Sequence, residues 1–220
     1  MLPPYRVLNP LRATIFSIMV RVITVEREFG SEGAEFAAAL ADRLGWSLAD
    51  NSLVDLVARA AGVPATAVAA SDERTDPWYH RLSKGFWQGG VEQSVAPNLD
   101  SDAMLGHLQN AIRSTADQGH AVIVGRAASS LLCGVPGCFH IFTYASMPRK
   151  KRWFEETFPD RARHAEAEIH AADHARAAYV RQHYNRDWAD RHLYHLMLNS
   201  CMGIPAMVDA AITAAALKPL

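Results

Sequence analysis

Val20-Arg21-Val22-Ile23-Thr24-Val25-Glu26, then Arg27, then Glu28-Phe29-Gly30-Ser31-Glu32-Gly33, decides how this chain folds. The first seven residues are rich in β-branched side chains and read as a buried strand. The segment with two glycines is a turn. Residues 34–44 then carry Phe36, Ala37, Leu40, Ala41 and Leu44 at helical spacing, and Gly45 follows as the C′ residue. Strand, short glycine-containing turn and helix is the geometry that sets backbone N–H groups and a helix N-terminus against a phosphate. Gly30 and Gly33 suit the positive φ of such a nest, and Ser31 adds a hydroxyl. Glu26, Glu28, Glu32 and Glu35 surround the turn, with Arg27 as the cation beside them. A carboxylate near a bound phosphate costs free energy unless a metal or an arginine intervenes. Glu35, in the first helical turn, complements the helix dipole. Glu32, inside the turn, has no such simple role.

Outward from this unit the pattern alternates. Trp46–Ala49 is a short strand candidate, and Asp50-Asn51 can cap a helix over 52–61. Residues 62–100 hold Pro64, Pro77 and Pro97 and the aromatics Trp78, Tyr79, Phe86 and Trp87, and read as an irregular excursion over the site. Residues 101–118 are a predicted helix ending at Gly119. Ala121–Val124 is a buried strand that ends in Gly125-Arg126, and Phe139–Tyr144 is another. Residues 149–186 are helical and heavily charged. Leu193–Leu198 is a fourth strand or the end of that helical region. Residues 205–217 form an alanine-rich terminal helix. Strands alternating with helices predict an α/β fold with a parallel sheet.

Composition narrows the function. Of 220 residues half are hydrophobic and a fifth charged, which suits one globular domain with a sizeable core. Net charge is −1, so no global basic field draws the chain to nucleic acid. The 22 basic residues include only four lysines, Lys84, Lys150, Lys151 and Lys218. None lies in the glycine-containing turn, which excludes an ordinary Walker A motif. Three cysteines, Cys133, Cys138 and Cys201, read as reduced and the chain as cytoplasmic. No apolar run reaches the length of about 18 residues that spans a bilayer. Residues 1–18 read as a poorly ordered leader, with Met19 a candidate start, and 19–220 as a single domain.

Several separated segments together resemble the cytidylate kinase-like family, a branch of the P-loop nucleoside monophosphate kinases. Ile23–Gly33 is similar to that family's strand and Ser-Arg-Glu-aromatic-Gly-Ser-Gly-Gly loop. Leu40-Ala41-Asp42-Arg43-Leu44-Gly45-Trp46, then Asp50, resembles its next helix and strand. Val122-Ile123-Val124-Gly125-Arg126-Ala127-Ala128 resembles its Gly-Arg-Gly-Ala segment, and Phe142-Thr143-Tyr144-Ala145 the strand entering its lid. Asp173, Arg176, Tyr179, Tyr184, Trp188, Tyr194 and Asn199 follow its C-terminal pattern in order. The resemblance covers roughly residues 20–212. It implies a P-loop NTPase-like parallel sheet flanked by helices, with an acceptor-side insertion near 62–100 and a helical lid near 146–190. It implies an ATP- and Mg²⁺-dependent phosphotransferase acting on a nucleoside monophosphate, with CMP favoured. Two departures stand out. Aligned from Ile23-Thr24-Val25, the position of the phosphate-contacting lysine of cytidylate kinases proper falls on Gly33. The third loop residue, a glycine in the family, is Glu32.

Phosphoryl transfer needs positioning and charge stabilisation, and arginine can clamp phosphate bidentately, so arginines can stand in for the lysine. By resemblance, Gly30, Ser31, Gly33 and Arg149 would contact donor phosphates. Asp50 and Arg126 would bind the acceptor, and Arg176 and Arg181 would act as catalytic lid cations. Asp173 and Arg176, at i,i+3, can pair on one helix face. Arg149, Lys150, Lys151 and Arg152 cannot all face one way on a helix, so at most two would reach one phosphate. Magnesium ligands are sparse, Glu26 or Glu28, and no dedicated metal site is assigned. A second reading, from a different class, is a catalytically inactive nucleotide- or anion-binding regulatory protein that keeps the kinase fold. A third is an interaction protein that keeps the fold alone. The expected partners are nucleotides; a membrane is not expected, a nucleic acid is disfavoured, and a homo-oligomer is left open. His170 and His174 at i,i+4 could face a zinc ion, but no third ligand can be named. Gly-x-Ser-x-Gly is absent, so no nucleophile elbow is expected at Ser129 or Ser130.

Overall fold

The computed structural model describes residues 19–50 and 101–217. The expected leader, the 52–61 helix and the 62–100 excursion lie outside these residues. Five strands form one parallel sheet: β1 (Val22–Arg27), β2 (Ser47–Ala49), β3 (Ala121–Val124), β4 (Cys138–Tyr144) and β5 (Leu196–Asn199). Their order across the sheet is β2-β3-β1-β4-β5. Val22 stands opposite both Ala121 and Cys138, so the sequence segment that opened the reading is the central strand. The helices are α1 (Gly33–Leu44), α2 (Ser101–Gln118), α3 (Ala128–Leu131), α4 (Met147–Thr157), α5 (Ala165–Tyr184) and α6 (Ile204–Ala214).

Both faces of the sheet are covered, which is why its strands read as nearly continuous apolar runs. Alternation along β1 sends Ile23 and Val25 to one face. There they pack with Phe36, Leu40 and Leu44 of α1 and with Met207 and Ala211 of α6. Val22 faces the other way, against Leu108 and Ile112 of α2. Gly45 ends α1 with φ 63°, and the paired bonds Gly45 N–H to Asp42 O and Trp46 N–H to Ala41 O close it as a Schellman cap.

Thr24, also on the α2 face of β1, is polar and wholly buried. It is satisfied by Ser129 Oγ and His140 Nδ1, each at 2.7 Å. Burial, and then the neighbouring His195, push the His140 pKa down to about 4.

The charged stretch 149–186 is helical, in three pieces. Pro159 opens a 3₁₀ segment, Pro159–His164, between α4 and α5, because proline has no N–H to continue an α-helix. One expectation is corrected: the strand placed at Leu193–Leu198 is β5 and begins at Leu196, whereas Leu193 and Tyr194 turn inward to pack with Phe142 and Trp188. Among the described residues no helix is long and apolar enough to cross a membrane.

Candidate functional site

The C-terminal ends of β1 and β3 lie side by side, and the chain leaves them in opposite directions, toward β2 and toward β4. A crevice at such a switch point is where open parallel sheets bind ligands. Residues Glu28–Glu32 form a loop across it, from β1 into α1. Glu32, at the N-cap of α1, has φ 55°, and no side chain caps the helix. The positive end of the α1 dipole therefore points into the loop with its first N–H groups uncapped by any side chain.

The loop is braced from below. Ser31 is fully buried, and its hydroxyl donates to the Glu28 carbonyl at 2.8 Å and meets Thr143 Oγ1 at 2.9 Å. That hydroxyl faces inward, so any contact from Ser31 to a phosphate would be through its backbone. Gly30 packs on α4, where a Cβ would stand 3.2 Å from the Lys150 carbonyl and from the Trp153 ring. Phe29 sits edge-on to Trp153 with centroids 5.5 Å apart, and joins Phe154 and Ile169 in a small core that fastens the loop to α4 and α5.

Two of the carboxylates that oppose anion binding in the sequence, Glu28 and Glu32, are paired. Lys150 is 7% exposed at its side chain and donates to Glu28 Oε2 at 3.1 Å and Asp173 Oδ2 at 2.8 Å. Burial works against its ammonium, but the bonds and charge of Asp173 and Glu28 outweigh this and raise its pKa. Asp173 Oδ1 accepts the Phe29 N–H at 2.7 Å, and Glu28 Oε2 also accepts the Ala145 N–H at 3.2 Å. Arg149 meets Glu32 Oε2 at 2.5 Å and Ser200 Oγ at 3.2 Å. The basic run disperses, since Lys151 pairs with Glu166 and Arg152 is exposed.

Three arginines converge on the crevice. Arg176 donates to the Arg27 carbonyl at 2.5 Å, lies 3.6 Å from Asp173, and covers the Phe29 ring at 5.6 Å. Arg126 donates to Asp50 Oδ1 and to the Val124 carbonyl, each at 3.2 Å. Gly125, Arg126 and Ala127 have φ of 66°, 60° and 53°. A run of left-handed residues is costly for side chains with a Cβ, and such strain concentrates at functional sites. The Arg27 side chain runs between α1 and Gly125. Arg181, by contrast, is exposed near the end of α5 and away from this group, as its position five residues after Arg176 dictates.

Glu26, at the end of β1, is 4% exposed. Burial raises its pKa against the opposing pull of Arg27, Trp188 and Arg176. It is one of the two magnesium candidates of the sequence, and its Oε2 accepts from Trp188 Nε1 at 3.4 Å. Glu28, the other candidate, is committed to Lys150. Among the described residues no three His, Cys, Asp or Glu side chains form a metal cluster. His170 and His174 are both exposed on α5. Lys150, Thr143 and Arg27 were missed as site residues. For Arg27 there was a signal, a cation directly beside a lysine-free loop; for the other two, only the sheet brings them there.

The model of the cytidylate kinase-like family matches residues 22–201. The chain belongs to the cytidylate kinase-like family. Among solved structures it is similar to an uncharacterized protein from Eubacterium ventriosum. That match has 19% identity and a TM-score of 0.66, over 90% of this chain and 99% of that one. It is also similar to shikimate kinase from Bacteroides thetaiotaomicron, at 12% identity and a TM-score of 0.53, over 90% and 99%. These likenesses show a kinase-like fold in this family member, a parallel sheet flanked by helices. No curated protein matches the chain.

Proposed function

We propose that this cytidylate kinase-like protein is a nucleotide-binding phosphotransferase that moves the γ-phosphoryl group of ATP to a nucleoside monophosphate, CMP being the favoured acceptor. The observation that carries the reading is the uncapped α1 N-terminus at the β1/β3 switch point, with Arg126 and Arg176 on its flanks. In the reaction the bond from Pγ to the β-phosphate oxygen breaks, and a bond from Pγ to an acceptor phosphate oxygen forms. Such an oxygen is already ionised at neutral pH, so no general base is required. The protein's work is to align the two nucleotides and to disperse charge.

Gly30, Ser31 and Gly33 would offer backbone groups to the donor phosphates, and Arg126, oriented by Asp50, would hold the acceptor phosphate. Arg176 would offset transition-state charge. Arg181 and Arg149 would join only after α4 and α5 move, because Arg149 is held by Glu32 and Arg181 faces away. The described residues form no ready magnesium site, so Mg²⁺ would arrive with ATP through its phosphates, and no step is assigned to it.

A second reading is a regulatory protein that binds nucleotide without turnover. The strap of Lys150, Asp173 and Arg149 across the loop favours it, because those bonds must loosen before lid cations reach a phosphate. Phosphorus NMR of ATP with Mg²⁺ and each of CMP, UMP, AMP and shikimate separates the two. ADP formation with a monophosphate supports the kinase. Heat of ATP binding in calorimetry without turnover on any acceptor supports the regulatory protein, and no heat at all rejects both.

A further inference from the structure

Arg126 sits on a turn that local forces do not hold. Gly125, Arg126 and Ala127 are left-handed in succession, and two of the three carry a Cβ. The helix that follows, α3, is a single turn, Ala128–Leu131, too short to be stable alone. Such a segment persists only where its surroundings over-determine it.

Two sets of contacts do so here. Gly125 is fixed against β1. Its N–H donates to the Val25 carbonyl at 2.9 Å, and a Cβ on it would meet Arg27 Nη1 at 2.5 Å. The start of α3 is fixed by Ser129, whose Oγ lies 2.7 Å from Thr24 Oγ1 on β1. Thr24 Oγ1 lies 2.7 Å from His140 Nδ1 on β4. All three residues are buried. Burial keeps the imidazole neutral down to about pH 4, while the Leu132 carbonyl favours a proton on the ring. With that proton turned to Leu132, Nδ1 is the accepting nitrogen. The chain then runs one way, Ser129 donating to Thr24 and Thr24 to His140. Leu132 is the C-cap of α3, so one imidazole acts on both ends of this helical turn.

We propose that the Ser129–Thr24–His140 chain braces the left-handed turn and thereby positions Arg126 for the acceptor phosphate. The inference rests on Arg126 being the acceptor-phosphate cation, and it names the positioning residues behind it. Pairing of buried hydroxyls would by itself explain the bonds, but not their place. Ser129 follows Arg126 by three residues, and α3 has no length in which to absorb a shift. Arg126 reaches Asp50 Oδ1 and the Val124 carbonyl at 3.2 Å each. A rotation of the turn would carry the guanidinium away from both.

Calorimetry of the full chain with CMP and with ATP tests the proposal in wild type, Ser129→Ala, Arg126→Gln and the double variant. A charge-assisted contact is worth about tenfold to a hundredfold in affinity, so misaligning Arg126 in Ser129→Ala should cost CMP about tenfold and ATP nothing. In the Arg126→Gln background the same substitution should cost CMP nothing further, because it acts through Arg126. Thr24→Val should copy Ser129→Ala, and Thr24→Ser, which keeps the hydroxyl, should match wild type. Wild-type CMP affinity in Ser129→Ala overturns the proposal. So does a loss that is the same in the Arg126→Gln background, or an equal loss for CMP and ATP, either of which marks a merely structural role. NMR gives a reading that needs no ligand. Arg126 and Ala127 should show the strong intraresidue HN–Hα NOE of positive φ in wild type and lose it in Ser129→Ala; its retention in Ser129→Ala refutes the brace. If wild type gives no heat with CMP while the NOE behaves as expected, the brace stands and the acceptor role of Arg126 falls, which is a distinct outcome.

Discussion

Replacing Lys150 with methionine removes the cation that ties the loop to both α4 and α5 while keeping most of the buried stem. The ammonium holds Asp173 at 2.8 Å and Glu28 at 3.1 Å, and its side chain is 7% exposed. Breaking a buried ion pair by removing one partner costs about 3–5 kcal/mol, because the other charge is left uncompensated. Here the orphaned carboxylates are 18% and 27% exposed and can draw in some water. The lower end applies, about 3 kcal/mol. For a domain of this size that is a fall in Tm of about 6–12 °C. Because the folded pKa of Lys150 is raised, its contribution is whole below the ordinary lysine value and is lost only as pH rises through the folded one. A urea titration at pH 7 therefore reads all of it. Adding Asp173→Asn should return part of the stability. It removes one stranded charge, and an asparagine oxygen can still accept the Phe29 N–H. A Lys150→Met variant less than about 1 kcal/mol below wild type, the worth of an exposed pair, would refute the view that this lysine is a buried structural clamp.

Two further outcomes are expected. Glu32→Gly relieves a left-handed residue, worth about 1–2 kcal/mol, and loses a part-exposed pair with Arg149 worth at most about 1 kcal/mol. Its stability should equal wild type or exceed it by up to about 2 kcal/mol, while calorimetry finds ATP binding at least about threefold tighter through loss of a like charge; unchanged affinity would place the phosphates elsewhere. His140 stays neutral in the fold to about pH 4, whereas in the unfolded chain it takes a proton near 6.5. Stability should thus fall as pH drops from 6.5 to 4, by on the order of 3 kcal/mol at most. His140→Gln should flatten that slope in urea titrations. Glu26, raised by burial, slopes the opposite way, but it is common to both proteins and cancels in the comparison. An unchanged slope would mean that His140 titrates freely.

Most of the frame was legible because its signals are local. The β-branched run, the apolar spacing of Phe36, Leu40 and Leu44, and the Gly45 cap each depend on neighbours a few residues away. So does the pairing of Asp173 with Arg176. The break at Pro159 was legible in principle, since proline cannot continue a helix.

What the sequence could not contain was who meets whom across the sheet. Glu28 and Glu32 looked hostile to an anion, because their partners Lys150 and Arg149 lie more than 110 positions along the chain. Gly33 looked like the loss of a lysine, because the stem of Arg27 beneath it and the Thr143 hydroxyl beside it come together only once β1 and β4 pair. By itself, then, the sequence determined a parallel α/β kinase frame with a loop at the end of its central strand. Only the tertiary structure decided the charge of that loop, because strand pairing sets which long side chains share a buried space, and in that space each acid must find its cation.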